Sequence, residues 1–252
     1  QTFLVNYQRD GAFTPEAVDL IVELVTLQAP ELAAIGTSAY HPGILGPLGN
    51  SQTKREYAAL RRVIARTLIG VQEAVPGVRA ELARFGLTTE EALLARLERI
   101  VLAKHLDPSR REGVKKIVLF SRVGIGGDII MNYQAIPLFL RLFPDADIVI
   151  LGAAGQLEPI SAESRLHVRD FRYPRGGQLL DRYAMWPAAV RVVEEELAPL
   201  RAQGEDYLVV NLGSRISEAG LLPLLSAEED ATHYFFWDET VADPTQVPYQ
   251  GK

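Results

Sequence analysis

The sequence predicts an α/β protein: a Rossmann-like, doubly wound parallel sheet over residues 113–252, preceded by an α-helical subdomain over residues 1–112. Three observations predict it. Apolar residues in the first part recur every three to four positions, the period of a helix buried on one side. From residue 113 onward, short β-branched runs such as "IVLFS", "DIVILG" and "DYLVVNLG" alternate with amphipathic segments. Apolar strands of this kind belong to parallel sheets covered on both faces, and alternating strands and helices are how such sheets are wound.

Taken in order, "FTPEAVDLIVELVTLQ" opens with Thr14 as N-cap and Pro15 at the first helical position, and Val18, Ile21, Val22 and Val25 form its stripe. "HPGILGPLGN" reads as a loop, because its prolines and glycines interrupt a helix. A helix follows through "TKREYAALRRVIARTLIGVQ", striped by Tyr57, Leu60, Ile64, Leu68 and Val71. "PGVRAELARFG" is a short helix closed by Gly86. Thr88 and Glu91 have capping-box spacing ahead of "EALLARLERIVLAKHL" with Leu93, Leu97, Ile100 and Val101. These stripes read as core, and the arginines at 61, 62, 96 and 99 read as solvated faces.

"DPSRREGVKK" is a polar linker into the strand "IVLFS", a glycine turn and an amphipathic helix ending near "RLFPDA". "DIVILG" and "LHVRDF" are the next strands. A crossover helix runs through "RYAMWPAAVRVVEEELAPLRAQG", its "EEE" at 194–196 read as solvated. "DYLVVNLG", a helix in "SEAGLLPLLS" and a last strand in "THYFFW" complete the pattern. Ligands of doubly wound sheets bind beyond the carboxyl ends of the strands. The loops at 121–128, 152–156, 172–178 and 211–217 are therefore the ones to watch.

Composition excludes several classes. With 48% hydrophobic and 23% charged residues the chain is globular in type. No apolar stretch approaches the ~18 residues of a membrane-spanning helix. The N-terminus lacks both a signal-peptide layout and a starting Met, which suggests processing or a fragment. With no cysteine there is no disulfide or thiolate chemistry, as suits a cytoplasmic protein. The four histidines lie apart, without the spacing of a helical zinc site. The net charge of −6 arises wholly beyond residue 112, and neither half offers the basic face that nucleic acid requires.

The glycine turn "SRVGIGGDIIMNYQ" carries the functional question. A P-loop would close with Lys-Ser/Thr, but Asp128 and Ile129 follow the glycines. A dinucleotide fingerprint needs a third glycine where Ile129 stands, and no acidic residue ends "DIVILG" to hold a ribose. The remaining reading centres on Asp128. A carboxylate at a strand–loop–helix tip faces the ligand crevice and can accept the proton of an attacking hydroxyl. Gly126 and Gly127 let backbone N–H groups approach a bound group closely. On residue types alone, capping of the helix by Asp128 is the simpler role.

The stretch "KKIVLFSRVGIGGDIIMNYQAIPLFLRLFPDADIVILG" resembles the opening of glycosyltransferase family 9, the lipopolysaccharide heptosyltransferases. The matching pieces are Gly127-Asp128, then Phe143-Pro144-Asp145-Ala146-Asp147-Ile148 and Leu151-Gly152, with "DYLVVNLGSRISEAGLLPLL" similar to a later strand and loop. The resemblance covers about residues 114–240 and implies the acceptor-binding, N-terminal half of a GT-B enzyme. It implies a catalytic base at Asp128 and puts that role ahead of a cap. It departs at Gln134, where family members usually carry a proline, and in the helical preface. The family's donor-binding domain would lie past Lys252.

Around that base, Arg122 in the same turn, Arg175 in "FRYPRGGQ", and Ser214 with Arg215 after Asn211 and Gly213 are candidate substrate-binding residues. Each is equally an ordinary loop residue. Trp186 and Trp237 read as core rather than as sugar-stacking platforms, although Trp237, ending a strand, suits either role. The expected reaction is sugar transfer from a nucleotide-sugar co-substrate to a glycan or protein acceptor, with no further cofactor and no metal. Two alternatives stand beside it: a non-catalytic nucleotide- or sugar-binding module, and an interaction protein whose helical region docks a partner.

Overall fold

The computed structural model describes residues 2–50, 53–101, 107–120, 127–152, 163–171, 173–174, 177–211 and 220–236. Seven α-helices come first: α1 (Thr2–Asp10), α2 (Pro15–Thr26), α3 (Pro30–Tyr40), α4 (Gly46–Asn50), α5 (Lys54–Val71), α6 (Pro76–Arg84) and α7 (Glu90–Val101). The second part runs β1 (Val114–Phe120), α8 (Gly127–Leu142), β2 (Asp147–Gly152), β3 (Leu166–Asp170), α9 (Leu179–Ala184), α10 (Trp186–Gln203), β4 (Asp206–Asn211), α11 (Ala227–Thr232) and β5 (Tyr234–Phe236).

The five strands form one sheet in the order β3-β2-β1-β4-β5. Every pairing is parallel, with Phe120 of β1 level with Leu151 of β2 and Asn211 of β4. This is the expected Rossmann-like α/β fold preceded by helices. The strand order reverses direction between β1 and β4. Side chains alternate between the faces with the two-residue period of a strand. Ile117, Leu119, Ile148, Ile150, Leu208 and Val210 share a core with Ile136 and Phe143 at the end of α8 and beyond. Val118, Phe120, Val149, Leu151 and Val209 face the other way, into the larger core.

That larger core is continuous across residue 112. It joins the stripes of α2, α5, α6 and α7 to Leu179, Tyr183, Trp186, Val190, Val193 and Leu197 of α9 and α10. Bonds cross the same boundary: Arg84 to Glu194 at 2.7 and 2.9 Å, and Thr37 Oγ1 to Gln178 Oε1 at 3.0 Å. The linker is pinned too. Arg110 donates to both oxygens of Asp206 (2.6 and 2.9 Å) and to the Thr232 carbonyl.

Several local expectations need correction. "HPGILGPLGN" is helical: a π-helical turn at His41–Leu45 runs into α4. Burial of Ile44, Leu45 and Leu48 outweighs the helix-breaking tendency of its prolines. Thr14 does precede α2, but its side chain makes no capping bond. The cap of α7 is Thr89, one residue later than expected, whose Oγ1 accepts from Ala92 N at 3.2 Å. The crossover helix breaks at Met185 into α9 and α10.

The expected helix in "SEAGLLPLLS" is absent from its described part, Gly220–Ser226, which is irregular. Gly220 sits at φ +82° and the Leu222–Pro223 bond is cis. Leu221, Leu222, Leu224 and Leu225 are all buried, which a one-sided helix could not achieve. Arg96, expected on a solvated face, is 1% exposed because it serves this segment. The "EEE" face is also engaged: Glu194 pairs with Arg84, Glu195 with Arg169, and Glu196 with both Lys116 and Arg169.

Candidate functional site

The reversal of strand order makes the carboxyl ends of β1 and β4 the place where a parallel sheet opens a crevice. β1 ends at Phe120 and β4 at the adjacent Asn211. Gly127 begins α8, so the backbone puts Asp128 in the helix's first turn, where the helix dipole favours a carboxylate. Arg122 and Gly126, between β1 and α8, lie outside the described residues, as do Ser214 and Arg215 after β4. The topology places the ends of β1 and β4, after which these two stretches follow in sequence, side by side. Arg175, also outside the described residues, follows β3, two strands from β1.

Asn211 is buried at this edge and fully engaged in structure. Its Nδ2 donates to the Leu222 carbonyl at 2.6 Å and lies 3.1 Å from the Tyr234 hydroxyl. Tyr234 in turn donates to the Gly220 carbonyl at 2.6 Å. Arg96 completes the set from α7. Its guanidinium donates to the carbonyls of Leu221 and Pro223 and to both carboxylate oxygens of Asp230, at 2.8 and 3.0 Å. Arg99 reaches the same carboxylate at 3.2 Å. An irregular buried segment must find partners for its carbonyls. Here three distant side chains supply them and fix the chain where it returns from the β4 loop.

Beside β1 an aromatic series follows the carboxyl edge. Phe120 lies 6.2 Å from Phe171, which lies 6.4 Å from Tyr173. Trp186 Nε1 donates to the Tyr173 hydroxyl at 3.2 Å, and the Trp186 ring meets Tyr183 edge-on at 5.5 Å. The Tyr183 and Tyr40 hydroxyls are 3.2 Å apart. Burial and the neighbouring Tyr183 push the Tyr40 phenol well above its ordinary range. Arg182, next along α9, bonds the His41 ring, and burial holds its guanidinium below its ordinary range. Sequence reasoning missed this contribution of the helical part, since nothing in "TSAYHPG" marks it as neighbour to residues beyond 170.

A hollow of about 310 Å³ lies toward the amino ends of the strands and is lined by Lys116, Asp147, His167, Arg169 and Glu196 among others. Lys116 pairs with Glu196 at 3.1 Å, and His167 stands 3.9 Å from Asp147. This is the end opposite the strands' carboxyl ends, and its charges are engaged with one another. Among the described residues no group of His, Asp and Glu could hold a metal ion, and no helix is long and apolar enough to cross a membrane. Compared with known protein families, curated proteins and solved structures, the chain matches none.

Proposed function

We propose that the chain supplies the acceptor-binding half and the general base, Asp128, of an enzyme that transfers a sugar from a nucleotide-sugar to an acceptor hydroxyl, with the acceptor held at the carboxyl edge between β1 and β4. The observation that carries this reading is the strand order β3-β2-β1-β4-β5, which sets the Gly127–Asp128 helix start beside the point of reversal. N–H groups at the start of α8 favour an anionic group there. The carboxylate of Asp128 takes the acceptor's proton as the hydroxyl oxygen attacks the anomeric carbon and the bond to the departing diphosphate breaks. Arg122 is assigned to an anionic acceptor or to the donor phosphate, Arg175 to a phosphorylated or acidic acceptor, and Ser214 with Arg215 to the acceptor cleft.

The test compares wild type with Asp128→Asn, in the longest natural form of the chain, for nucleotide-sugar binding and for transfer or hydrolysis. Asp128 lies in the first turn of α8, so loss of its charge should cost no more than about 1 kcal/mol through the helix dipole and thermal stability should nearly hold. Loss of the base should lower turnover by about 100-fold or more. Unchanged turnover would reduce Asp128 to a helix-terminal residue. If neither form binds any nucleotide-sugar, the enzymatic reading fails.

A further inference from the structure

We propose that the α2–α3 hairpin is a docking surface for a basic, amphipathic helix of a partner protein. Its starting point is a second apolar stripe. The inward stripe of α2, Val18, Ile21 and Val25, is buried as expected. Leu20 on α2 and Leu27, the extended residue that follows the helix, are 55% and 43% exposed. On α3, Leu32 and Ile35 are 37% and 56% exposed. These four account for all but one of the large hydrophobic residues exposed among the described residues, the other being Leu138 on α8.

The two helices are tightly joined under this surface. A Cβ added at Gly36 of α3 would come within 3.0 Å of Leu24 Cβ and 2.7 Å of Val25 Cγ1. Leu24, half-buried between Leu20 and Leu27 in sequence, therefore meets α3 next to Ile35. The result is a two-helix apolar face, whereas a helix apolar on two sides ordinarily has both covered.

Charge selects the occupant. Residues 15–40 contain Glu16, Asp19, Glu23 and Glu31 and no Lys or Arg. Asp19 is neutralised by Arg66, which donates to both its oxygens at 2.7 Å. Glu16, Glu23 and Glu31 are exposed and make no ion pair among the described residues. Glu16 and Glu23 lie within a turn of Leu20, and Glu31 within a turn of Ile35. An apolar centre rimmed by unpaired carboxylates repels a second copy of itself, since a two-fold interface would oppose like charges. It attracts an apolar helix face flanked by Lys and Arg. The proposal does not depend on the nucleotide-sugar reading.

The probes are a panel of synthetic amphipathic helices with a leucine stripe flanked by Lys and Arg, beside the same helices flanked by Glu, followed by fluorescence anisotropy. The basic helices should bind in the micromolar range and weaken as salt is raised, and the acidic ones should not bind. Leu20→Ser with Ile35→Ser should weaken binding at least tenfold without changing the far-UV spectrum or Tm. Glu23→Lys with Glu31→Lys should reverse the preference toward the acidic helices. Failure of the whole basic panel, or equal binding of both kinds, would overturn the proposal. So would sedimentation showing a dimer that Ile35→Ser dissolves, because the occupant would then be a second copy.

Discussion

Replacing Arg96 by Met should be the most damaging single substitution in the described chain. Arg96 and Asp230 are 1% and 0% exposed, and the guanidinium makes two bonds to the carboxylate and two to carbonyls of the Leu221–Pro223 segment. Removing one partner of a buried pair costs about 3–5 kcal/mol, because the other charge is left uncompensated. The remaining bond from Arg99 to Asp230 moderates that figure. The two orphaned carbonyls raise it again, at about 1–3 kcal/mol each where water cannot reach them. The expected loss is therefore about 4 kcal/mol, read in urea as a lower midpoint with an unchanged slope. Arg96→Met with Asp230→Leu removes both charges together, so its cost should fall short of the summed single costs by about 2 kcal/mol. A single-variant loss below about 1 kcal/mol, or strict additivity, would refute the argument that this pair holds the segment after the β4 loop.

Other substitutions and pH report on separate contacts. A Cβ at Gly70 would sit 2.7 and 2.8 Å from the methyls of Val22, so Gly70→Ala should cost about 1–3 kcal/mol in thermal or urea unfolding, and Val22→Ala in the same chain should recover part of it. His233, stacked on Tyr207 with ring centroids 4.5 Å apart, is held below its ordinary pKa of 6.5, first by burial and then by Arg110. The unfolded chain thus takes up this proton first, and stability should fall as pH drops below 6.5. His233→Gln should flatten that limb of the stability–pH curve. Burial and the bond to Glu229 push Tyr207 up to about 12, from 10.0, so its share of stability should be lost between those values as the unfolded phenol ionises. Tyr207→Phe should remove that alkaline loss.

Local signals in the sequence carried most of the architecture, because periodicity records which side of an element is buried. The stripe from Tyr57 to Val71 is buried as its spacing requires, and the runs at 117–121, 147–152 and 206–213 cover most or all of β1, β2 and β4, the three most buried strands. The left-handed glycines at 86 and 204 close α6 and α10, a position that the absence of a Cβ explains. Where tertiary burial opposed local preference, the reading failed. "HPGILGP" became helical because Ile44 and Leu45 had a core to enter, and α3 was missed because its inward positions before Tyr40 are the small Ala33 and Gly36.

For the site, the sequence determined the chemistry on offer: a glycine turn that holds Arg122 and ends in Asp128 after a buried strand, with Arg175 and Arg215 following other strands in sequence. Only the tertiary structure decided the adjacency of those strands' ends, since strand order depends on long-range pairing that no local pattern encodes. The same holds for Arg96. In sequence it is one more arginine on a helix with charged neighbours; in the fold it lies against carbonyls more than a hundred residues away. Side-chain type fixed what each residue can do. The packing of α7 against the chain beyond β4 fixed which of them leave water to do it.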